Sequence, residues 1–129
     1  MRMWLIVSIL LLSLTPAYSH NSSHVWEKAD PATQQWFSTL TQPDNPKLLC
    51  CGEADAYFCE AFVRKEKSFC RITDDRDDVP LNRMHVPPGT EIEIPNWKIK
   101  HDRGNPTGRD IVFLTPAAIV ICFVFGSGI

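Results

Sequence analysis

No apolar run in this chain is long enough to cross a bilayer comfortably. Trp4 to Leu14 is short and is followed by Pro16. Ile111 to Phe125 is also below spanning length, and Thr115-Pro116 interrupts it. Stable membrane insertion of the mature chain is therefore not expected. Basic residues do not outnumber acidic ones: 13 Lys and Arg stand against 15 Asp and Glu, a net charge of −2. A nucleic-acid surface needs clustered positive charge to displace counterions from phosphates, so none is expected. The C-x-x-C spacing of redox motifs and zinc knuckles is missing. So are a phosphate loop, a nucleophile elbow, a dinucleotide fingerprint and a kinase signature.

What the chain does have begins at its N-terminus. Arg2 supplies a positive n-region and Trp4 to Leu14 an apolar h-region. Ala17-Tyr18-Ser19 places small residues at the two positions a signal peptidase reads. Residues 1–19 thus read as a secretory signal peptide cut before His20; an uncleaved anchor is the alternative. Export puts the remainder in the periplasm or outside the cell, where cysteines oxidise. Residues 20–29 read as a polar leader and 30–129 as a single β-rich domain. That length suits one domain, with a modest margin for a core, so crosslinks help. The ten prolines favour turns and short strands over long helices.

Asp30-Pro31 is a helix start with a mechanism: Asp as N-cap, Pro where its missing N–H costs nothing. The helix is expected from Pro31 to about Thr41, with Trp36, Phe37 and Leu40 inward. Leu48 to Gly52 reads as a buried loop carrying the vicinal cysteines. Tyr57–Val63 and Ser68–Thr73 read as a hairpin around the charged tip Arg64-Lys65-Glu66-Lys67. Thr90–Ile94 alternates and reads as a half-buried strand, and Trp97–Lys100 alternates again. Ile111–Leu114 and Ile119–Phe125 form a final hairpin, apolar on both faces and so central in the sheet. The fold class is mainly β: a small twisted sheet or partly closed barrel of about six short strands, with one N-terminal helix. Trp36, Phe37, Ile92, Ile94, Phe113, Ile121 and Phe123 are expected to form one core.

Five cysteines in an exported domain imply two bridges and one thiol left over. Adjacent cysteines seldom bond to each other, because the small ring is strained. A two-residue turn at Arg64-Lys65 sets Cys59 opposite Cys70, and a turn shifted by one residue breaks that pair. Cys122 must then reach Cys50 or Cys51. Cys51 is preferred, because Gly52 beside it permits close backbone approach. Closing that loop of about 70 residues is worth roughly 4 kcal/mol on the chain-entropy model.

The histidines are His20, His24, His85 and His101. A mature N-terminal His20 offers its α-amine and imidazole to one ion. With His24 it forms a candidate copper site, which His85 or His101 can complete. No cofactor is expected, and copper at this site is the alternative. His101-Asp102 with a cysteine nucleophile, or Glu53 with Asp55, are the catalytic candidates. Both arrangements are also common in ordinary loops. Asp74 to Asp78 offers carboxylates to Ca²⁺ but lacks the glycine and distal glutamate of an EF-hand loop.

Three segments carry a resemblance. Cys50-Cys51-Gly52-Glu53-Ala54-Asp55-Ala56-Tyr57, Ile72-Thr73-Asp74-Asp75-Arg76 and Gly104-Asn105-Pro106-Thr107-Gly108 together resemble a group of small exported proteobacterial proteins of unassigned function. The likeness spans about residues 30 to 125. It implies a bacterial periplasmic or secreted location, and would make the sequon Asn21-Ser22-Ser23 irrelevant. In that group the Cys-Cys pair and the late cysteine recur more than the hairpin cysteines, which implies one shared and one local bridge. It names no substrate. Three functions stay open: a non-catalytic structural or binding module, a periplasmic copper protein, and a small hydrolase or thiol enzyme. The first is favoured by the lack of a catalytic constellation.

Overall fold

A computed structural model describes residues 30–126, except the side chains of residues 52, 53, 80 and 81. Asp30 opens helix α1 (Pro31–Thr39) as its N-cap. Its carboxylate accepts from the amides of Ala32 at 3.0 Å and Thr33 at 3.1 Å, two donors that the helix cannot pair itself. The helix stops short of Thr41 because Leu40 turns extended and buries its side chain. The chain then doubles back, bridging Thr41 to Leu49, and the Cys50 amide donates to the Leu40 carbonyl. The expected loop at the vicinal cysteines is instead one helical turn, α2 (Cys50–Glu53).

Six strands form one sheet: β1 (Asp55–Arg64), β2 (Lys67–Ile72), β3 (Glu91–Glu93), β4 (Ile99–Lys100), β5 (Asp110–Leu114) and β6 (Val120–Val124). Their order is β3-β2-β1-β5-β6-β4. All neighbours are antiparallel except β4 and β6. The described residues are thus mainly β, a curled half-barrel with one substantial helix among them. The expected strand at Trp97–Lys100 is mostly a 3₁₀ turn (Asn96–Lys98) that leaves Trp97 67% exposed, and only Ile99 and Lys100 pair. A second short helix, α3 (Asp78–Leu81), replaces part of the acidic loop, with Asp77 as its N-cap.

The single expected core is two cores, one on each face of the sheet. Alternation along β5 separates them: Ile111 and Phe113 point one way, Val112 and Leu114 the other. The first face packs under α1, joining Phe37, Leu40, Ala56, Phe113 and Val124, with Trp36 and Ile121 at its margin. The second joins Tyr57, Ile72, Ile94, Val112 and Phe123, with Ile92 at its margin. This is why β5 is apolar on both sides.

The first hairpin corrects the expected register. Its turn lies at Lys65-Glu66, both with positive φ, so Arg64 faces Lys67. Cys59 faces Ile72, and Cys70 faces Ala61. The shift sets Phe62 opposite Phe69, with rings stacked at 5.5 Å between centroids. Arg64 and Arg71 lie over the Phe62 ring and both reach Glu91 on β3. Such cross-strand pairs are the unit of sheet stabilisation, and they select this register. Moving the turn by one position slips the pairing by two residues and keeps every side chain on its own face. The expectation that such a shift breaks the pair is therefore corrected: Cys59 and Cys70 meet diagonally, with Cα atoms 5.6 Å apart.

Candidate functional site

The cysteines are in two disulfides, Cys59–Cys70 and Cys50–Cys122. The preferred partner of Cys122 is corrected: it is Cys50, and Cys51 belongs to neither bridge. The reason is the helical turn at α2. Cys50 sits at its start with its side chain fully buried in the helix-side core beside Cys122, whereas Cys51 is only half-buried. The bridge ties α2 to the centre of β6. The Cys59–Cys70 bridge lies in the opposite core.

The acidic run gathers guanidinium groups. Asp74 is buried, and its carboxylate accepts from Arg76 Nη2 at 2.6 Å, Arg83 Nη1 at 2.9 Å and the Phe58 amide at 3.1 Å. Arg83 is buried too. It donates to Asp78 at 2.9 Å and to the carbonyls of Ala56 and Arg76, and its guanidinium lies 4.5 Å from the Tyr57 ring centroid. His85 Nδ1 meets the other oxygen of Asp78 at 2.5 Å. Burial alone would raise the Asp74 carboxyl; the hydrogen bonds from Arg76, Arg83 and Phe58 outweigh it and hold the group well below the usual carboxylate range. Burial pushes the Tyr57 phenol up to about 12, and its hydroxyl donates to the Met84 carbonyl. The network clips α3 and residues 83–85 to β1. Of the carboxylates that sequence reading offered to calcium, those of Asp74 and Asp78 are taken by the protein's own arginines, and that of Asp77 caps α3.

The other candidates scatter. Among the described residues no group of three or more His, Cys, Asp or Glu is placed to hold a metal ion. His20 and His24 lie outside the described residues. His101 is exposed, and Asp102 accepts from the Gly104 amide at 2.7 Å. The side chain of Glu53 lies outside the description, while Asp55 is buried at the start of β1. No helix among the described residues is long and apolar enough to cross a membrane.

The structure adds a feature that sequence reading missed: a gap in the sheet. β2 bonds outward through even-numbered residues, Ile94 N to Ser68 O and Ile72 N to Thr90 O. Its odd-numbered residues therefore bond β1, which leaves the odd-numbered residues of β1 facing β5. Asp55, Tyr57 and Cys59 find Leu114, Val112 and Asp110 there. But β5 begins at Asp110 while β1 runs on to Arg64. Beside Ala61 and Val63 the strand position is unfilled among the described residues. The Asp110 carboxylate closes its inner end. One oxygen accepts from the Ala61 amide at 2.9 Å, the other from the Gly126 amide beyond β6 at 2.8 Å.

Two local devices keep the chain out of the gap. Gly108, at φ +68°, turns the chain away before β5. Asn105 then pins the loop: its amide donates to the carbonyls of Arg109 and Phe125, and its oxygen accepts from the Thr107 amide. Gly126 lies directly on Arg109. A β-carbon there would meet that backbone at 2.4 Å, so only glycine permits the approach.

Next to the gap is an apolar cleft of about 140 Å³, lined by Ala61, Val63, Ile94, Ile99, Phe123 and Phe125. It continues the second core to the surface, and Val63 at its lip is 72% exposed. Its volume is close to that of a cavity of about 150 Å³ that holds one benzene ring. Comparison with protein-family models, curated proteins and solved structures finds no match for this chain.

Proposed function

We propose that this chain is an exported, disulfide-stabilised β module that binds a partner through the cleft at the open end of its sheet. One observation carries the reading. An apolar cleft of side-chain size opens beside an unfilled strand position, with an exposed Val63 between them. Pockets at the mouths of barrels and half-barrels are recurrent ligand sites. Several of the chemistry-bearing residues have internal work. Four cysteines are crosslinked, and Asp74, Asp78 and Arg83 hold one another. The resemblance to small exported proteobacterial proteins favours a periplasmic or secreted site of action. Two disulfides and the signal-like N-terminus are compatible with it.

Toluene is a suitable first probe, since it matches the cleft in size and polarity. A ligand that binds only the folded state raises the melting temperature in proportion to its saturation. Toluene-saturated buffer should raise the melting temperature of the wild-type protein. It should leave that of Ala61→Phe, in which the new ring occupies the cleft, unchanged. An equal response in both proteins, or none in either, would overturn the reading.

A further inference from the structure

We infer that the partner is an extended polypeptide, and that it enters the sheet as the missing continuation of β5. This rests on the cleft reading and adds the identity of the ligand. The edge carries the argument. The Val63 N–H, the Val63 carbonyl and the Ala61 carbonyl face the gap with no backbone partner among the described residues. Exposed strand edges of this kind pair with incoming strands, and the main-chain bonds recruit while side-chain pockets select.

The geometry fixes how such a segment lies. β5 is antiparallel to β1, so a peptide in line with it runs antiparallel too, its N-terminal end toward the turn at Lys65-Glu66. The residue opposite Val63 exchanges main-chain bonds with it. In an antiparallel pair that residue also projects its side chain to the same face as Val63, which is the cleft face. One residue therefore supplies both contacts, and the cleft volume fits one apolar or aromatic side chain. At the turn Arg64 is paired with Glu91 and Lys67 with Glu93, both on β3. Lys65, beside Glu66, is left with no salt bridge among the described residues, so the tip keeps a positive charge at Lys65. Carboxylates at the N-terminal end of the peptide complement it. The occupant is thus an extended segment with acidic residues followed by an apolar one.

The hexapeptide Asp-Glu-Thr-Phe-Thr-Val, fluorescein-labelled and titrated by anisotropy, tests this on the oxidised protein beginning at His20. Binding should be saturable. N-methylation of the Phe nitrogen should weaken it about tenfold, because it removes a main-chain bond while keeping the ring. N-methylation of the preceding Thr, whose N–H points away from β1, should leave it within about twofold by the same alternation. Val63→Pro deletes the protein's own N–H at an exposed edge position and should weaken binding to the same degree. An unchanged far-ultraviolet circular dichroism spectrum would show that this variant keeps its fold. If both N-methyl peptides bind like the parent, or the parent fails to bind while toluene still stabilises the protein, strand addition is wrong and the cleft reading stands. If neither peptide nor toluene acts on the wild type, the cleft reading fails as well.

Discussion

The carboxylate of Asp110 accepts a hydrogen bond from the amide of Ala61, 49 residues earlier in the chain, at 2.9 Å. Its other oxygen takes the Gly126 amide at 2.8 Å. One side chain thus joins the strands on either side of β5 at the point where β5 begins. Asp110→Ala should lower stability by about 1–3 kcal/mol, the usual loss for stranded donors. Urea denaturation measures it. A change below about 0.5 kcal/mol, ordinary for an unremarkable surface position, would show that water replaces the carboxylate without loss.

Asp74 governs the acid limb of stability. Its folded carboxyl titrates below its ordinary value near 3.8. The contribution is therefore complete above that value and is lost as pH falls toward and through the folded one. Asp74→Asn should cost about 3–5 kcal/mol at neutral pH, because it strips a buried arginine of its counter-charge. The gap between variant and wild type should narrow as pH drops below 3.8, where the carboxylate of the unfolded wild-type chain takes up its proton while the folded one stays ionised. A difference that stays constant from neutral pH down to the acid transition would contradict the assignment.

Tyr57 governs the alkaline limb. Burial raises its phenol from 10.0 to about 12. A raised value favours the neutral form in the fold, so this contribution is complete below pH 10 and is lost as pH rises through 12. In protein beginning at His20, Tyr57 is the only tyrosine. Ultraviolet titration should show one phenol ionising near 12, together with unfolding. Ionisation near pH 10 in a protein that stays folded would contradict its burial.

The vicinal cysteines are unequal. Cys50→Ser should remove the bridge to Cys122 and cost about 4 kcal/mol on the chain-entropy model. Cys51→Ser should leave both disulfides in place and change stability by less than about 1 kcal/mol. Non-reducing peptide mapping with thermal denaturation distinguishes them. A Cys51–Cys122 peptide from wild-type protein would reverse the assignment.

Phe123 is buried in the core opposite the helix. Phe123→Ala should cost about 3–5 kcal/mol. A loss below about 1 kcal/mol in a denaturation series would show that the terminal hairpin is peripheral.

Local chemistry was the readable part of this fold. Asp30-Pro31 marked the helix start because capping is decided within three residues. The terminal hairpin was visible as a central element because both of its faces are apolar. The pairing of Cys59 with Cys70 was reachable from parity alone, although the turn lies one residue further along. What moved the turn was the stacking of Phe62 on Phe69, a preference that no turn residue announces. Lys65 and Glu66 adopt positive φ without being Gly, Asn or Asp. The Asp74–Arg83 pair hid behind α3, whose Pro80 and brevity give no helical pattern. The cleft is the least local feature. It exists because β5 starts later than β1 ends, a relation between segments far apart in sequence. Its one sequence signal was Asp110, a poor strand former directly before an apolar run.

Ligand binding should occur where β5 is missing beside β1. Nitrogen-15 shift mapping of the oxidised protein during toluene titration tests it most directly. The predicted result is saturable movement of the amides of Val63, Ser68, Ile94 and Phe125, with those of α1 unmoved. Movement centred on Trp36 and α1, or no movement anywhere at saturation, would contradict the claim.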